Sequence, residues 1–135
     1  MIRRVLVFLL ALLAGYAAMV VLITVVQEAM FGGISYHTTP LPQLLVAGAL
    51  TMASAVAGGA VAARIFGKPW FPPALVMCGL VVLETSYMTL SNRLEGPLWF
   101  DLMAAGSLLF GICVGAYAIQ RLQQSAAAIA AFNRN

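Results

Sequence analysis

The chain has 135 residues, of which 63% are hydrophobic and only 8% are charged. Soluble domains carry about 25% charged residues, so this composition excludes an ordinary soluble domain and indicates an integral membrane protein. The formal net charge of +3 comes without any basic stripe interleaved with aromatic residues, which excludes a nucleic-acid-binding surface and leaves the lipid bilayer as the expected surroundings.

The first apolar segment covers residues 5–27. Arg3 and Arg4 precede it, as the positive flank of a signal peptide would. The apolar run continues to about Val26, however, which is longer than the roughly 7–15 residues of a secretory hydrophobic region. No Asp, Glu, Lys or Arg interrupts it before Glu28, and about 20 apolar residues are enough to cross a bilayer. We therefore predict an uncleaved first membrane span.

Three further spans are predicted, over residues 41–66, 72–91 and 97–120. Each has a proline within its first two residues, where the missing N–H of proline would be unpaired in any helix. Open strands are excluded at membrane depth because lipid cannot satisfy their edges. The predicted fold class is therefore all-α, a polytopic membrane protein with a four-transmembrane-helix bundle. Residues 121–135 follow as a tail that either extends the fourth helix or lies on the membrane surface.

The distribution of positive charge predicts the orientation of this bundle. With four spans, Arg93 falls on the side of the membrane opposite to the other six Lys and Arg residues. The side with more positive charge is usually cytoplasmic. We therefore predict that both termini are cytoplasmic, in a membrane of the bacterial inner-membrane type. The carboxylates Glu28, Glu95 and Asp101 show the opposite bias and fall at or near the outer surface.

Small residues recur at four-residue intervals in the second and fourth segments. The predicted packing residues are Ala55, Gly59 and Ala63 in one row and Ser107, Gly111 and Gly115 in the other. Such rows let helix backbones approach closely in lipid, where packing rather than hydrophobicity drives association. We predict that the two segments lie at tight interfaces, either within one chain or between chains.

Glu84 is an ionisable residue inside the third apolar segment. A charge near the middle of a bilayer is costly, so it usually faces a bundle interior, a water-filled cavity or a partner. If the third helix begins near Pro72, Glu84 lies slightly past the midplane. Thr51 of the second segment and Ser107 of the fourth fall at the same depth, and Tyr87 lies one turn beyond Glu84. These four polar residues are the predicted intramembrane site.

Three roles for Glu84 remain open at this point. It can be a protonatable coupling group, which would suit proton or cation exchange. It can pair with a cationic residue of another subunit and serve assembly. It can also stay protonated and hydrogen-bonded, with a purely structural role. No Lys or Arg of this chain falls at the depth of Glu84 to pair with it, since Arg64 lies at the end of the second span and Arg93 lies at the outer surface.

No motif in the sequence predicts catalysis. GxSxG, Walker A and HExxH patterns are absent, as are paired histidines for haem. Four side chains could converge near the outer surface as metal ligands, namely Glu28, His37, Glu95 and Asp101. Because no ligand spacing supports such a cluster, we predict no metal site, and no pattern identifies a cofactor. The two cysteines fall within predicted spans and are predicted to be packing residues.

The sequence thus favours a non-catalytic accessory or assembly subunit of a larger membrane complex. This interpretation depends on the short loops, the small-residue rows and a membrane carboxylate that has no internal charge partner. The alternative is a small proton- or cation-coupled transporter that acts as an oligomer around Glu84. The expected partners are other membrane-protein subunits or further copies of the same chain.

Overall fold

The structure, a computed structural model, describes residues 2–34, 37–67, 71–91 and 97–132. These ranges contain four α-helices: α1 (Ile2–Thr24), α2 (Leu41–Phe66), α3 (Phe71–Leu90) and α4 (Leu98–Phe132). A π-helical segment, Val25–Met30, continues α1. No strand occurs in the described residues, so the predicted all-α class with four helices is confirmed.

Each of the four helices is long and apolar enough to cross a membrane. The candidate spans are Ile2–Met30, Leu41–Phe66, Phe71–Leu90 and Leu98–Ala127. Large apolar side chains are exposed along all four of them, including Leu13, Leu45, Leu83 and Phe110. An exposed apolar surface of this extent is typical of a protein that contacts lipid. Beyond its span, α4 continues to Phe132, so the described part of the predicted tail extends the fourth helix.

Glycines with positive φ mark the ends of the first two helices. Gly32 and Gly33 follow the π-helical segment with φ of 67° and 92°, and Gly67 follows α2 with φ of 79°. The N–H of Gly32 donates to the carbonyl of Glu28, and that of Gly67 donates to the carbonyl of Ala63, both at 3.0 Å. Side chains with a Cβ rarely adopt this backbone conformation, so each helix ends where the sequence supplies a glycine.

Contacts between the helices establish an up-down-up-down order. The rings of Phe8 on α1 and Phe66 on α2 lie 5.7 Å apart, and further along Met19 lies against Gly58, so α1 and α2 are antiparallel. The sulfur of Cys78 on α3 contacts a backbone carbonyl of α4. Helix α2 packs most extensively against α1 and α4, whereas α3 packs mainly against α4. The helix α2 is therefore the centre of the bundle.

At the contact between α2 and α4, the two backbones touch where glycines occur. A Cβ atom added to Gly59 would clash with the carbonyl of Ile112, and one added to Gly115 would clash with the carbonyl of Val56. Gly111 is similarly close, since an added Cβ would lie 2.8 Å from the carbonyl oxygen of Met52. Both helices therefore need a residue without a side chain at these points.

The other residues predicted to pack also lie in or near the core. Ala55 and Ala63 are fully buried, together with Met77 and Ile112. Ser107 is half-buried, and its hydroxyl donates to a carbonyl of its own helix at 2.7 Å. The core is thus built from small side chains, with a few larger ones filling the remaining space.

Charged residues occupy opposite ends of the bundle. Glu28 and Asp101 lie where the π-helical segment finishes and α4 begins, which we call the acidic end. The opposite, basic end carries the arginines at the start of α1 and the end of α2, namely Arg3, Arg4 and Arg64. Arg93 and Glu95, which the sequence assigns to the outer surface, lie outside the described residues.

Candidate functional site

A cavity of about 470 Å³ lies between α1, α3 and α4, toward the acidic end of the bundle. Its polar lining residues are Tyr16, Thr24, Gln27, Glu84, Thr85 and Asp101. The remaining lining residues are apolar and include Met19 and Met88. We call this space the polar cavity. It combines six polar side chains with an otherwise apolar wall, as ligand sites in proteins commonly do.

The polar cavity exists because α3 leaves the bundle toward the acidic end. The buried residues of α3 are Pro73, Ala74, Met77 and Val81, so burial ends near the middle of this helix. After Val81, every described residue of α3 is half-buried or exposed. On α4 the described residues before Gly111 are likewise half-buried or exposed. The two helices therefore pack closely near the basic end and leave space beside α1 near the acidic end.

Glu84 lies at the edge of the polar cavity and has a partner on another helix. The hydroxyl of Tyr16 on α1 donates a hydrogen bond to Oε2 of Glu84, with 2.9 Å between the oxygens. Glu84 is exposed and Tyr16 is half-buried, so the bond sits where the cavity opens between α1 and α3. Tyrosine supplies one donor but no positive charge. Glu84 therefore keeps most of its acceptor capacity for a ligand.

Asp101 is the second carboxylate of the polar cavity. It lies in the first turn of α4, where the helix dipole stabilises a negative charge. Its Oδ2 atom is buried and accepts no hydrogen bond from any described residue. A buried carboxylate oxygen without a donor is costly to the fold. A cation or a hydrogen-bond donor that enters the cavity would remove this cost.

Neutral oxygen atoms surround the two carboxylates. The hydroxyl of Thr85 donates to the carbonyl of Val81 at 2.9 Å, which leaves its lone pairs as acceptors. Gln27 enters the cavity lining from the π-helical segment, a type of backbone that often occurs at functional sites. Together with the hydroxyl of Thr24, these groups can accept hydrogen bonds or solvate a positive charge.

The electrostatic character of the polar cavity is negative. Its described lining includes two carboxylates and no Lys, Arg or His, and Arg3, Arg4 and Arg64 belong to the basic end. A cleft of one sign of charge with low-dielectric walls concentrates ions of the opposite sign. No group of three or more His, Cys, Asp or Glu residues in the described ranges could hold a metal ion.

Of the four residues predicted as the intramembrane site, Glu84 is the one that lines the polar cavity. Tyr87 is 59% exposed and points away from the lining, and Thr51 lies half-buried on α2. The hydroxyl of Ser107 donates its hydrogen bond to a carbonyl of its own helix. The structure therefore combines Glu84 with Tyr16 and Asp101, and it does not bring Tyr87, Thr51 and Ser107 into this cavity.

Tyr16 and Gln27 are lining residues that the sequence reasoning missed. The sequence does contain an indication that Tyr16 is a polar site residue, because its hydroxyl lies in the middle of the first apolar run. Depth along a helix does not indicate that α1 is a neighbour of Glu84. The sequence places Asp101 near the outer surface, but its position in the same lining as Glu84 depends on how α3 and α4 diverge.

Comparison with protein-family models, with curated proteins and with solved structures finds no match to this chain. We infer function from the charges, the hydrogen bonds and the volume of the polar cavity.

Proposed function

We propose that this chain is a non-catalytic integral membrane protein that binds a cation in the polar cavity. In this proposal it acts as a small proton- or cation-coupled transporter, assembled as an oligomer. The observation that carries the proposal is that Glu84 and Asp101 line one cavity whose described lining includes no cationic side chain. Carboxylates at membrane depth are costly and are typical of ion pathways and proton relays.

Each polar residue has a distinct role in this proposal. Glu84, at the opening of the cavity, is the coupling group that exchanges a proton or another cation. Tyr16 holds the Glu84 carboxylate in place through its hydrogen bond. Asp101, at the acidic end, attracts the cation and supplies a buried acceptor oxygen. The part of α3 beyond Val81 has no buried residue and would contact a neighbouring copy, which leaves the opening between α1 and α3 toward the lipid.

We further propose a bacterial inner membrane with both termini in the cytoplasm. The support is the segregation of charge, with Arg3, Arg4 and Arg64 at the basic end and Glu28 and Asp101 at the acidic end. Positive residues are retained on the cytoplasmic side. The polar cavity would then open toward the outer half of the membrane, on the side from which an external cation arrives.

Proton flux into proteoliposomes tests the transport proposal. Wild-type protein should acidify vesicles that contain a pH-sensitive dye when a negative internal potential is imposed. Glu84→Gln should fold normally and lose the flux. The matched control is Glu28→Gln, which removes a carboxylate at the same end that does not line the cavity, and it should retain the flux. A wild-type flux no greater than that of protein-free vesicles, for protons and for alkali cations, would contradict the proposal.

An accessory subunit is the second candidate function, and the exposed glycines favour it. A Cβ atom added to Gly48, Gly79 or Gly106 would meet nothing within 4 Å. Glycine inside a helix costs about 0.5–1 kcal/mol relative to alanine, and small residues mark helix contacts in membranes. The small-residue rows would then serve the α2–α4 contact, and the exposed glycines would serve a contact with another protein.

Native mass spectrometry after gentle extraction from the source membranes separates the two candidates. Recovery in a defined complex with other proteins would support the subunit and contradict an autonomous transporter. Recovery as a homo-oligomer alone would support the transporter. Under the subunit hypothesis, Glu84→Gln would weaken the complex or leave it unchanged, whereas the transporter hypothesis predicts an intact oligomer without flux.

A further inference from the structure

We propose that the ligand of the polar cavity is an organic cation with an apolar body, rather than a bare metal ion. This inference rests on the proposed function and specifies its substrate class. It also makes a claim about binding that can be tested without any transport assay.

The volume of the cavity favours an organic ligand. At about 470 Å³, it falls within the roughly 300–1,000 Å³ that small-molecule sites occupy. A bare Ca²⁺ or Mg²⁺ ion is instead held by about six to eight oxygen atoms at roughly 2.0–2.6 Å. The described residues contain no group of three or more side chains of the metal-binding types. The cavity is thus too large, and too poor in ligands, for a bare ion.

The charges of the cavity select a cation. Glu84 and Asp101 contribute negative charge, and the described lining contains no basic residue to neutralise it. One acceptor on Asp101, the buried Oδ2 atom, has no donor among the described residues. Glu84 receives a single neutral hydrogen bond, from Tyr16. An anionic ligand would meet both carboxylates in surroundings of low dielectric constant and would be repelled.

The apolar lining of the cavity and the position of its opening favour a cationic ligand that carries apolar groups. Met19 and Met88 line the cavity, and methionine packs adaptably against ligands of varied shape. Val20, Glu84 and Met88 are exposed, so the cavity opens along the side of the bundle between α1 and α3. Within a membrane that side faces lipid. A cation with apolar groups can reach the opening from the lipid, whereas a hydrated metal ion cannot.

Equilibrium binding to protein in lipid nanodiscs tests this inference. The probe is radiolabelled tetraphenylphosphonium, and empty nanodiscs correct for its partitioning into lipid. Wild-type protein should bind the probe saturably. Unlabelled tetraphenylphosphonium should displace it, whereas the neutral triphenylphosphine oxide, which carries three of the same phenyl groups, and NaCl at matched ionic strength should not. This competition uses wild-type protein alone, so it does not depend on the folding of any variant.

Three isosteric variants locate the binding site. Glu84→Gln and Asp101→Asn should each weaken binding roughly tenfold or more, because each removes one of the two carboxylates that attract the cation in surroundings of low dielectric constant. Glu28→Gln should bind like the wild type, because Glu28 does not line the cavity. Size-exclusion profiles and helical circular dichroism establish that each variant is folded.

The outcomes distinguish this inference from the proposed function. Saturable binding that depends on Glu84 and Asp101 supports the organic-cation ligand, even if no flux is found. No saturable binding, or equal displacement by triphenylphosphine oxide, overturns the inference, and a Glu84-dependent proton flux would still support transport. Displacement of the probe by Na⁺ or Ca²⁺ at low concentration would contradict an organic cation as the ligand and would indicate a bare metal ion.

Discussion

At the scale of single residues, the hydrogen bond from the Tyr16 hydroxyl holds the Glu84 carboxylate in position. A tyrosine hydroxyl stabilises a carboxylate through a hydrogen bond without cancelling its charge, so Glu84 remains able to attract a cation. The sequence was sufficient to place Glu84 inside an apolar helix, because depth follows from counting residues. It could not identify Tyr16 as the partner, because the choice of neighbouring helix is decided by packing and not by depth.

Replacing the two tyrosines in turn separates the observed site from the one predicted from sequence. Tyr16→Phe removes the hydrogen bond to Glu84 and should lower the free energy of unfolding by about 1 kcal/mol. It should also reduce proton flux several-fold without abolishing it. Tyr87→Phe, at an exposed position, should change neither quantity. Thermal unfolding in detergent and flux in proteoliposomes measure both, and a larger effect of Tyr87→Phe would show that the sequence-based site was the better one.

At the scale of helices, the bundle has a tight part and a loose part. Helix α2 lies against α1 and α4 with glycines at the contacts, whereas α3 has no buried residue beyond Val81. Long apolar runs and the prolines at their starts made the helices predictable from the sequence, because these features act locally. The divergence of α3 and α4 was not predictable, because it depends on how side chains fit between helices.

Glycine substitutions should have opposite effects at a backbone contact and at an open position. Gly115→Ala places a Cβ against the carbonyl of Val56 and should destabilise the protein by about 1–3 kcal/mol, as overpacking does. Gly79→Ala adds a Cβ in open space on α3 and should raise the stability by up to about 1 kcal/mol, because alanine favours a helix. Thermal unfolding in one detergent compares the two variants. A stable Gly115→Ala variant would contradict the close contact of α2 and α4.

The two cysteines provide a test of how α3 packs on α4. The sulfur of Cys78 on α3 lies 4.0 Å from the backbone carbonyl of Leu109 on α4, and Cys113 follows about one turn later on α4. Mild oxidation with copper phenanthroline should therefore link them within one chain, without forming a dimer. Intact-mass measurement would show the loss of two hydrogen atoms, and Cys113→Ser should abolish it. Persistence of both free thiols under conditions that oxidise an exposed control dithiol would contradict this packing.

At the scale of the whole molecule, basic and acidic residues lie at opposite ends of the bundle. The arginines Arg3, Arg4 and Arg64 lie at one end, and the polar cavity opens near the other. The charge division could be foreseen from the sequence, because it follows from alternating spans. The cavity could not be foreseen, because it arises from three helices that leave space between them.

Reporter fusions test the orientation that we propose. A green fluorescent protein fused after Asn135 should fluoresce, and alkaline phosphatase at the same position should be inactive, because a cytoplasmic C-terminus keeps both reporters inside the cell. Phosphatase inserted in the loop after Gly33 should be active. The reverse pattern would place the acidic end and the polar cavity on the cytoplasmic side.

The measurement that tests the central claim most directly is the labelling of Glu84 by a hydrophobic carbodiimide, with and without tetraphenylphosphonium. Peptide mass spectrometry follows Glu84 and Glu28 in the same sample, so that Glu28, outside the cavity lining, serves as the internal control. If the polar cavity binds a cation through its carboxylates, tetraphenylphosphonium slows the labelling of Glu84 and leaves Glu28 unchanged. Labelling of Glu84 at the same rate across all concentrations of the cation would contradict the claim.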